Sequence, residues 1–152
     1  MITNEDVKKY KELFGDYIIP LGTDKKPVGL PFYIEEEKKI KKFWKRNPHT
    51  KEFLKYPDEK LIGAAGLGVS LEPSNLIAVD GDMIETSPFM SELPETFTIG
   101  KKVNGKTLIR QKLYKSEIRP KYVGHGKNTK DGMCVELLVN TQSVFIGGNR
   151  II

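Results

Sequence analysis

The sequence holds a single cysteine, Cys134, and that one sits inside an apolar run. One cysteine excludes an internal disulfide and any cysteine-rich zinc site, so a reducing, cytoplasmic setting is expected. Long hydrophobic runs are missing as well. None approaches the roughly 20 residues that a membrane helix needs. Met1 to Tyr10 is polar and charged, unlike a secretory leader. No membrane partner is expected. There is no internal repeat and no low-complexity linker. The 152 residues suffice for one domain with a proper core, taken as 1–152.

Charge is present but uneven. Residues 1–99 carry 14 basic and 17 acidic side chains, whereas residues 100–130 carry 10 basic and one acidic. A dense basic segment on a near-neutral body suits a polyanion such as nucleic acid or a nucleoside triphosphate, and equally a solvated basic loop.

The spacing of Val7, Tyr10, Leu13 and Phe14 predicts a helix over Asn4 to Phe14, with Asn4 as N-cap. Asp16 to Leu21 reads as a short strand and Gly22 to Pro31 as a loop. Ile40, Phe43 and Trp44 form part of a helical stripe over Ile34 to Arg46, closed by Asn47-Pro48. Thr50 to Tyr56 adds a further turn or two. Glycine-rich Leu61 to Val69 reads as a buried strand. A turn at Glu72 to Asn75 then delivers the chain into the run Leu76–Asp82. Glu85 to Pro94 is a short helix or irregular. Thr96–Ile99 and Thr107–Tyr114 read as strands around a hairpin-type turn containing Asn104-Gly105. Lys115 to Asp131 is loop-like. Met133–Val139 and Ser143–Ile146 are the last strands. Helices early and a mostly antiparallel sheet late make the fold class α+β.

Chemistry concentrates at the end of the Leu76–Asp82 run. A strand of period two points Asp80 and Asp82 the same way. Two carboxylates that close are tolerated if solvated, if one is protonated, or if a divalent cation lies between them. Glu136, one acid among apolar neighbours, is costly to bury without a partner or a metal. These three acids are expected to meet as catalytic ligands of two Mg²⁺ or Mn²⁺ ions, the hard cations that carboxylates favour. Solvated strand and turn positions would account for the same residues.

Gly100 to Thr107 matches the phosphate-binding pattern G-x-x-x-x-G-K-T. Its bulky, charged interior, the β-prone run that follows and the short remaining chain favour a hairpin. That hairpin offers Lys106 to phosphates, with Thr107 and Arg110 beside it. His125, in Gly-His-Gly, is a further candidate for nucleotide contact or an exposed loop residue.

The order of these features resembles the catalytic domain of the archaeo-eukaryotic primase superfamily, in particular the bifunctional primase–polymerase type of plasmids and viruses. The matching features begin with Trp44…Asn47-Pro48, the Gly-rich Ile62–Val69 and Asn75–Asp82 ending in Asp-x-Asp. Leu93-Pro94-Glu95-Thr96, the basic hairpin Lys101–Leu108, Met133–Glu136 and Gly147-Gly148 follow. The resemblance implies an RRM-like sheet bearing the catalytic acids, with a small N-terminal α/β unit. It implies Asp80 and Asp82 as the first motif and Glu136 as the third. It also implies template-directed nucleotide transfer from nucleoside triphosphates on single-stranded DNA. The family's second motif carries a histidine after the hairpin glycine. Thr107 stands at that position here, so Lys106, Arg110 or His125 would supply the triphosphate contact. Family members usually carry more chain, so this sequence would be a minimal core or a fragment, with a helicase or helical domain as partner. The alternatives are a non-catalytic nucleic-acid-binding replication accessory that kept the fold, and a P-loop nucleotide-hydrolysing protein.

Overall fold

The computed structural model describes residues 1–24, 26–28, 32–36, 39–43, 46–47, 49–81, 86–117, 125–128 and 133–139. For 32–36, 39–43, 125–128 and 133–134 the description is of the backbone.

Helix α1 spans Asn4–Phe14. Its N-cap is Thr3, not Asn4. The Thr3 hydroxyl accepts from the Asp6 amide at 3.1 Å, and the Thr3 amide donates to the Asp6 carboxylate at 2.8 Å. This reciprocal box satisfies two amides that the helix itself cannot. Gly15, at φ +90°, ends the helix. Val7, Tyr10 and Phe14 form its buried stripe. Strand β1 (Ile18–Leu21) pairs antiparallel with β4 (Gly66–Val69), and every residue of both is buried. Between them in sequence lie β2 (Phe32–Glu36), β3 (Lys39–Phe43) and the short helix α2 (Asp58–Leu61). Lys11 of α1 forms an ion pair with Asp58 of α2.

The expected helix over Ile34 to Arg46 is instead part of an antiparallel hairpin, β2 with β3. Glu and Lys favour helix locally, but the two runs pair as strands, with Glu36 opposite Lys39 and Phe32 opposite Phe43. The Asn47 side chain accepts from the amides of His49 and Thr50, and the stretch Thr50 to Tyr56, expected to add helical turns, is non-helical, with Phe53 bridged to Arg46. The buried strand expected from Leu61 begins only at Gly66, because Leu61 closes α2 and Gly63 turns at φ +85°.

The second half is a five-stranded antiparallel sheet. In chain order it comprises β5 (Leu76–Gly81), β6 (Phe97–Val103), β7 (Lys106–Lys115), β8 (His125–Asn128) and β9 (Met133–Leu138). The spatial order is β6-β7-β5-β9-β8. Helix α3 (Ser87–Glu92) links β5 to β6. Both of those strands run antiparallel to β7 and so parallel to each other, which makes a split β-α-β unit. The α+β class with a mostly antiparallel sheet and a small N-terminal α/β unit is therefore the architecture. The stretch expected to be a loop after Lys115 contributes strand β8 at the sheet edge. The expected strand at Ser143–Ile146 lies outside the described residues, as do Trp44, Pro48 and Gly147-Gly148.

Asn104 (φ +50°) and Gly105 (φ +77°) form the two-residue turn between β6 and β7. Two consecutive positive φ values match the right-handed twist of a hairpin. The Gly100–Thr107 pattern is thus a β-hairpin and lacks the strand–loop–helix form of a P-loop.

Phe97, Leu113, Ala78 and Leu138 lie side by side across four strands and all join the hydrophobic core. The Phe97 ring meets Phe14 edge-on at 5.0 Å and Tyr10 at 6.4 Å. This apolar row is where the N-terminal unit seats on the sheet. Lys112 and Tyr114 alternate away from Leu113, and donate to the carbonyls of Leu93 and Pro94 just after α3. No helix among the described residues is long and apolar enough to cross a membrane.

Candidate functional site

Two residues further along β7, β5 and β9 from the apolar row, the sheet turns polar, while β6 stays apolar at Ile99. Ile99 pairs with Gln111, Gln111 with Asp80, Asp80 with Glu136, and Glu136 with His125. Asp80 shares its face of β5 with the buried Leu76 and Ala78, and is itself only 9% exposed. Glu136 shares the parity of Leu138 on β9 and is half-buried. Side chains directly opposite on antiparallel strands have Cβ atoms about 4.5–5.5 Å apart. The register therefore makes Asp80 and Glu136 direct neighbours across two strands that are distant in sequence.

Like charges directly opposite each other destabilise a sheet, and burying a carboxylate costs more unless it is bonded. Gln111 offsets part of that cost. Its Nε2 donates to Asp80 Oδ1 at 2.8 Å, both groups being buried. Gln111 was not singled out in the sequence. It could have been, because alternation from Leu113 puts this polar side chain on the core face.

Gly81 was also passed over. A Cβ there would lie 2.7 Å from Thr86 Oγ1 and 3.1 Å from Met90 Cγ. The glycine between the two acids is required because the start of α3 packs directly on the strand there. Met90 itself is fully buried.

The other sequence candidates fall in different places. Asp82 lies outside the described residues. His125 is the register partner of Glu136 on the edge strand. Arg110 is the extra residue of a β-bulge, since Ile99 pairs with Gln111 while Gly100 pairs with Ile109. Bulges re-aim a side chain beside a site, and this one adjoins the acid row. Lys106 is exposed at the hairpin turn, five residues along β7 from Gln111 and so roughly 16 Å away at about 3.3 Å per residue. Thr107 is beside it, and its hydroxyl accepts from Lys102 Nζ at 2.6 Å. The sheet thus gathers Asp80, Glu136, Gln111 and the His125 position, keeps Arg110 adjacent, and leaves Lys106 and Thr107 at the far tip.

Among the described residues no group of three His, Cys, Asp or Glu side chains converges. The row supplies two of the three acids expected to do so. Their donor chemistry, two hard carboxylates opposed in a partly buried row, fits a divalent cation such as Mg²⁺ or Mn²⁺.

No protein-family model, no curated protein and no solved structure matches the chain.

Proposed function

We propose that this chain is a nucleotidyltransferase of the primase–polymerase type, extending a strand on a single-stranded DNA template from nucleoside triphosphates in the cytoplasm. The observation that carries this reading is the direct pairing of Asp80 with Glu136. The resemblance assigned these residues to separate motifs, and they lie opposite each other on adjacent strands. The split β-α-β unit formed by β5, α3 and β6 around β7 supports the RRM-like reading of the sheet.

Asp80 and Glu136, with Asp82, would hold the ions. When bound, Mg²⁺ or Mn²⁺ lowers the barrier by activating the attacking hydroxyl and offsetting charge on the leaving pyrophosphate. Gln111 fixes one oxygen of Asp80. Arg110, on the bulge next to the acid row, is the triphosphate contact that best fits the geometry. Lys106, with Lys101 and Lys102, forms an exposed basic tip, far enough from the acids to suit template backbone.

The second reading is a non-catalytic accessory that binds nucleic acid. Thr107 favours it, because its hydroxyl is engaged by Lys102 at the position where the family carries histidine.

Primer extension with Mg²⁺ or Mn²⁺ separates the two. Incorporation by the wild type, lost in Asp80→Asn and in Glu136→Gln while both still unfold cooperatively, is the expected result. Salt-sensitive binding of single-stranded DNA with no incorporation by the wild type would favour the accessory reading.

A further inference from the structure

A recess lies in the N-terminal unit, away from the acid row. It is open to solvent, has a volume of about 600 Å³ and is lined by Tyr17, Asn47, Glu52, Phe53, Leu54 and Lys55. Small-ligand pockets occupy roughly 300–1,000 Å³. Its walls are fixed by the backbone. Tyr17 leads into β1, and its carbonyl accepts from the Ser70 amide at 3.0 Å. Phe53 forms an isolated β-bridge with Arg46, whose guanidinium stacks 3.8 Å from the Phe53 ring centre. Arg46 also donates to the Lys51 carbonyl at 2.8 Å and to Glu72 at 3.3 Å. The Asn47 amide donates to the Glu52 carbonyl at 2.8 Å, so both ends of the Asn47–Glu52 turn are tied. Ser70 precedes the turn that enters β5, and Glu72 lies within it. The recess therefore sits at the opposite end of β5 from Asp80.

Its chemistry is aromatic, with a cation over the Tyr17 ring. The Tyr17 and Phe53 rings meet at 6.0 Å and 72°, and Lys55 Nζ stands 5.4 Å from the Tyr17 ring centre. Asn47 Oδ1 is taken by two amides, which leaves its Nδ2 hydrogens as donors to the recess. Glu52 is exposed and offers an acceptor. A planar heterocycle can take the place of the exposed Lys55 ammonium over the Tyr17 ring, accept a hydrogen bond from Asn47 and give one to Glu52, while the displaced Lys55 meets an attached phosphate.

We infer that this recess is a nucleobase-binding site, distinct from the acid row, that holds a base through stacking on Tyr17. The inference rests on the nucleic-acid partner in the proposed function. The base could belong to a single strand or to a free nucleotide, and the two sources are separable.

The test uses an oligodeoxynucleotide containing 2-aminopurine, whose fluorescence is quenched on stacking, and parallel titration with free 2-aminopurine deoxynucleotide. Wild type and Tyr17→Phe should quench the probe alike. Tyr17→Leu should abolish the quenching and weaken binding about tenfold, as expected where a stacked base contributes about 1–3 kcal/mol. Lys55→Gln, at an exposed position, should lower the slope of log affinity against log salt by about one if the Lys55 ammonium contacts phosphate. Loss confined to the oligonucleotide assigns the site to a strand, and loss confined to the nucleotide assigns it to a free ligand. Undiminished quenching in Tyr17→Leu overturns the inference, whatever the Lys55→Gln slope. Asp80→Asn separates this site from the catalytic one. If it abolishes incorporation while Tyr17→Leu changes nothing, the base site fails and nucleotidyl transfer stands. If Tyr17→Leu loses quenching while incorporation is absent from the wild type, the base site stands and catalysis fails.

Discussion

Asp80 of β5 and Glu136 of β9 are direct cross-strand partners, two carboxylates opposed in a sheet beside a fully apolar row. Opposed like charges cost a sheet of the order of 0.2–1 kcal/mol. Glu136→Gln should therefore raise the melting temperature slightly in chelator. The same substitution should abolish the rise in melting temperature that Mn²⁺ gives the wild type. Melting curves with and without Mn²⁺ check both. A wild type indifferent to Mn²⁺ would remove the metal site.

Gln111 positions Asp80 through a buried 2.8 Å hydrogen bond. Gln111→Leu takes away a donor and keeps the volume, so it should cost about 1–3 kcal/mol of stability, as losing the partner of a buried polar group does. Under the proposed function it should also weaken Mn²⁺ binding, read by calorimetry. Gln111→Glu should be worse on stability, because it puts a third carboxyl in the row. Chemical denaturation of the two variants tests this ranking.

Gly81 has no room for a side chain. Gly81→Ala drives a Cβ to 2.7 Å from Thr86 Oγ1, and overpacking of this kind costs about 1–3 kcal/mol. In a Thr86→Ala background the added cost of Gly81→Ala should be smaller, because the nearest obstacle is gone. A double-mutant cycle by denaturation measures the coupling. An equal penalty in both backgrounds would mean that the strand, not Thr86, resists the change.

The capping box gives α1 an acid-sensitive end. The hydrogen bond from the Thr3 amide, aided by the Thr3 hydroxyl and Lys9, holds the Asp6 carboxyl below its ordinary 3.8. A carboxyl lowered in the folded state contributes stability that is present above the unfolded value and lost as pH falls through the folded one. Stability should thus fall below about pH 3.8 by a component that Asp6→Asn removes. Thr3→Ala should cost about 1 kcal/mol at neutral pH, the usual loss for an N-cap. Unfolding free energies measured from neutral to acid pH report both.

Local chemistry made much of the chain legible. The 3.6-residue stripe of α1, the Asn104-Gly105 turn and the apolar runs of β5 and β9 each carry their own periodicity or their own backbone requirement. The cap of α1 is Thr3 and not the adjacent Asn4, since both are capping residue types and only the bond to Asp6 separates them. The stretch from Phe32 to Phe43 differs from its local preference for a deeper reason. Its Glu and Lys residues suit a helix when considered alone, and pairing of β2 with β3 outweighs that preference.

The sequence by itself determined which residues could do chemistry: an acid ending one apolar strand, an acid within another, and a basic hairpin. Tertiary structure decided which of them meet. Whether Glu136 lies opposite Asp80 depends on the register of β9 against β5. A slip of one residue would turn Glu136 to the other face. That register is held by Ala78 against Leu138 and by the seating of the Phe97–Leu113–Ala78–Leu138 row under α1. The same register seats Gln111 beside Asp80 and leaves Lys106 and Thr107 at the hairpin tip. Burial of the apolar row sets the alignment of the acid row, and no local pattern encodes an alignment between strands that far apart in the chain.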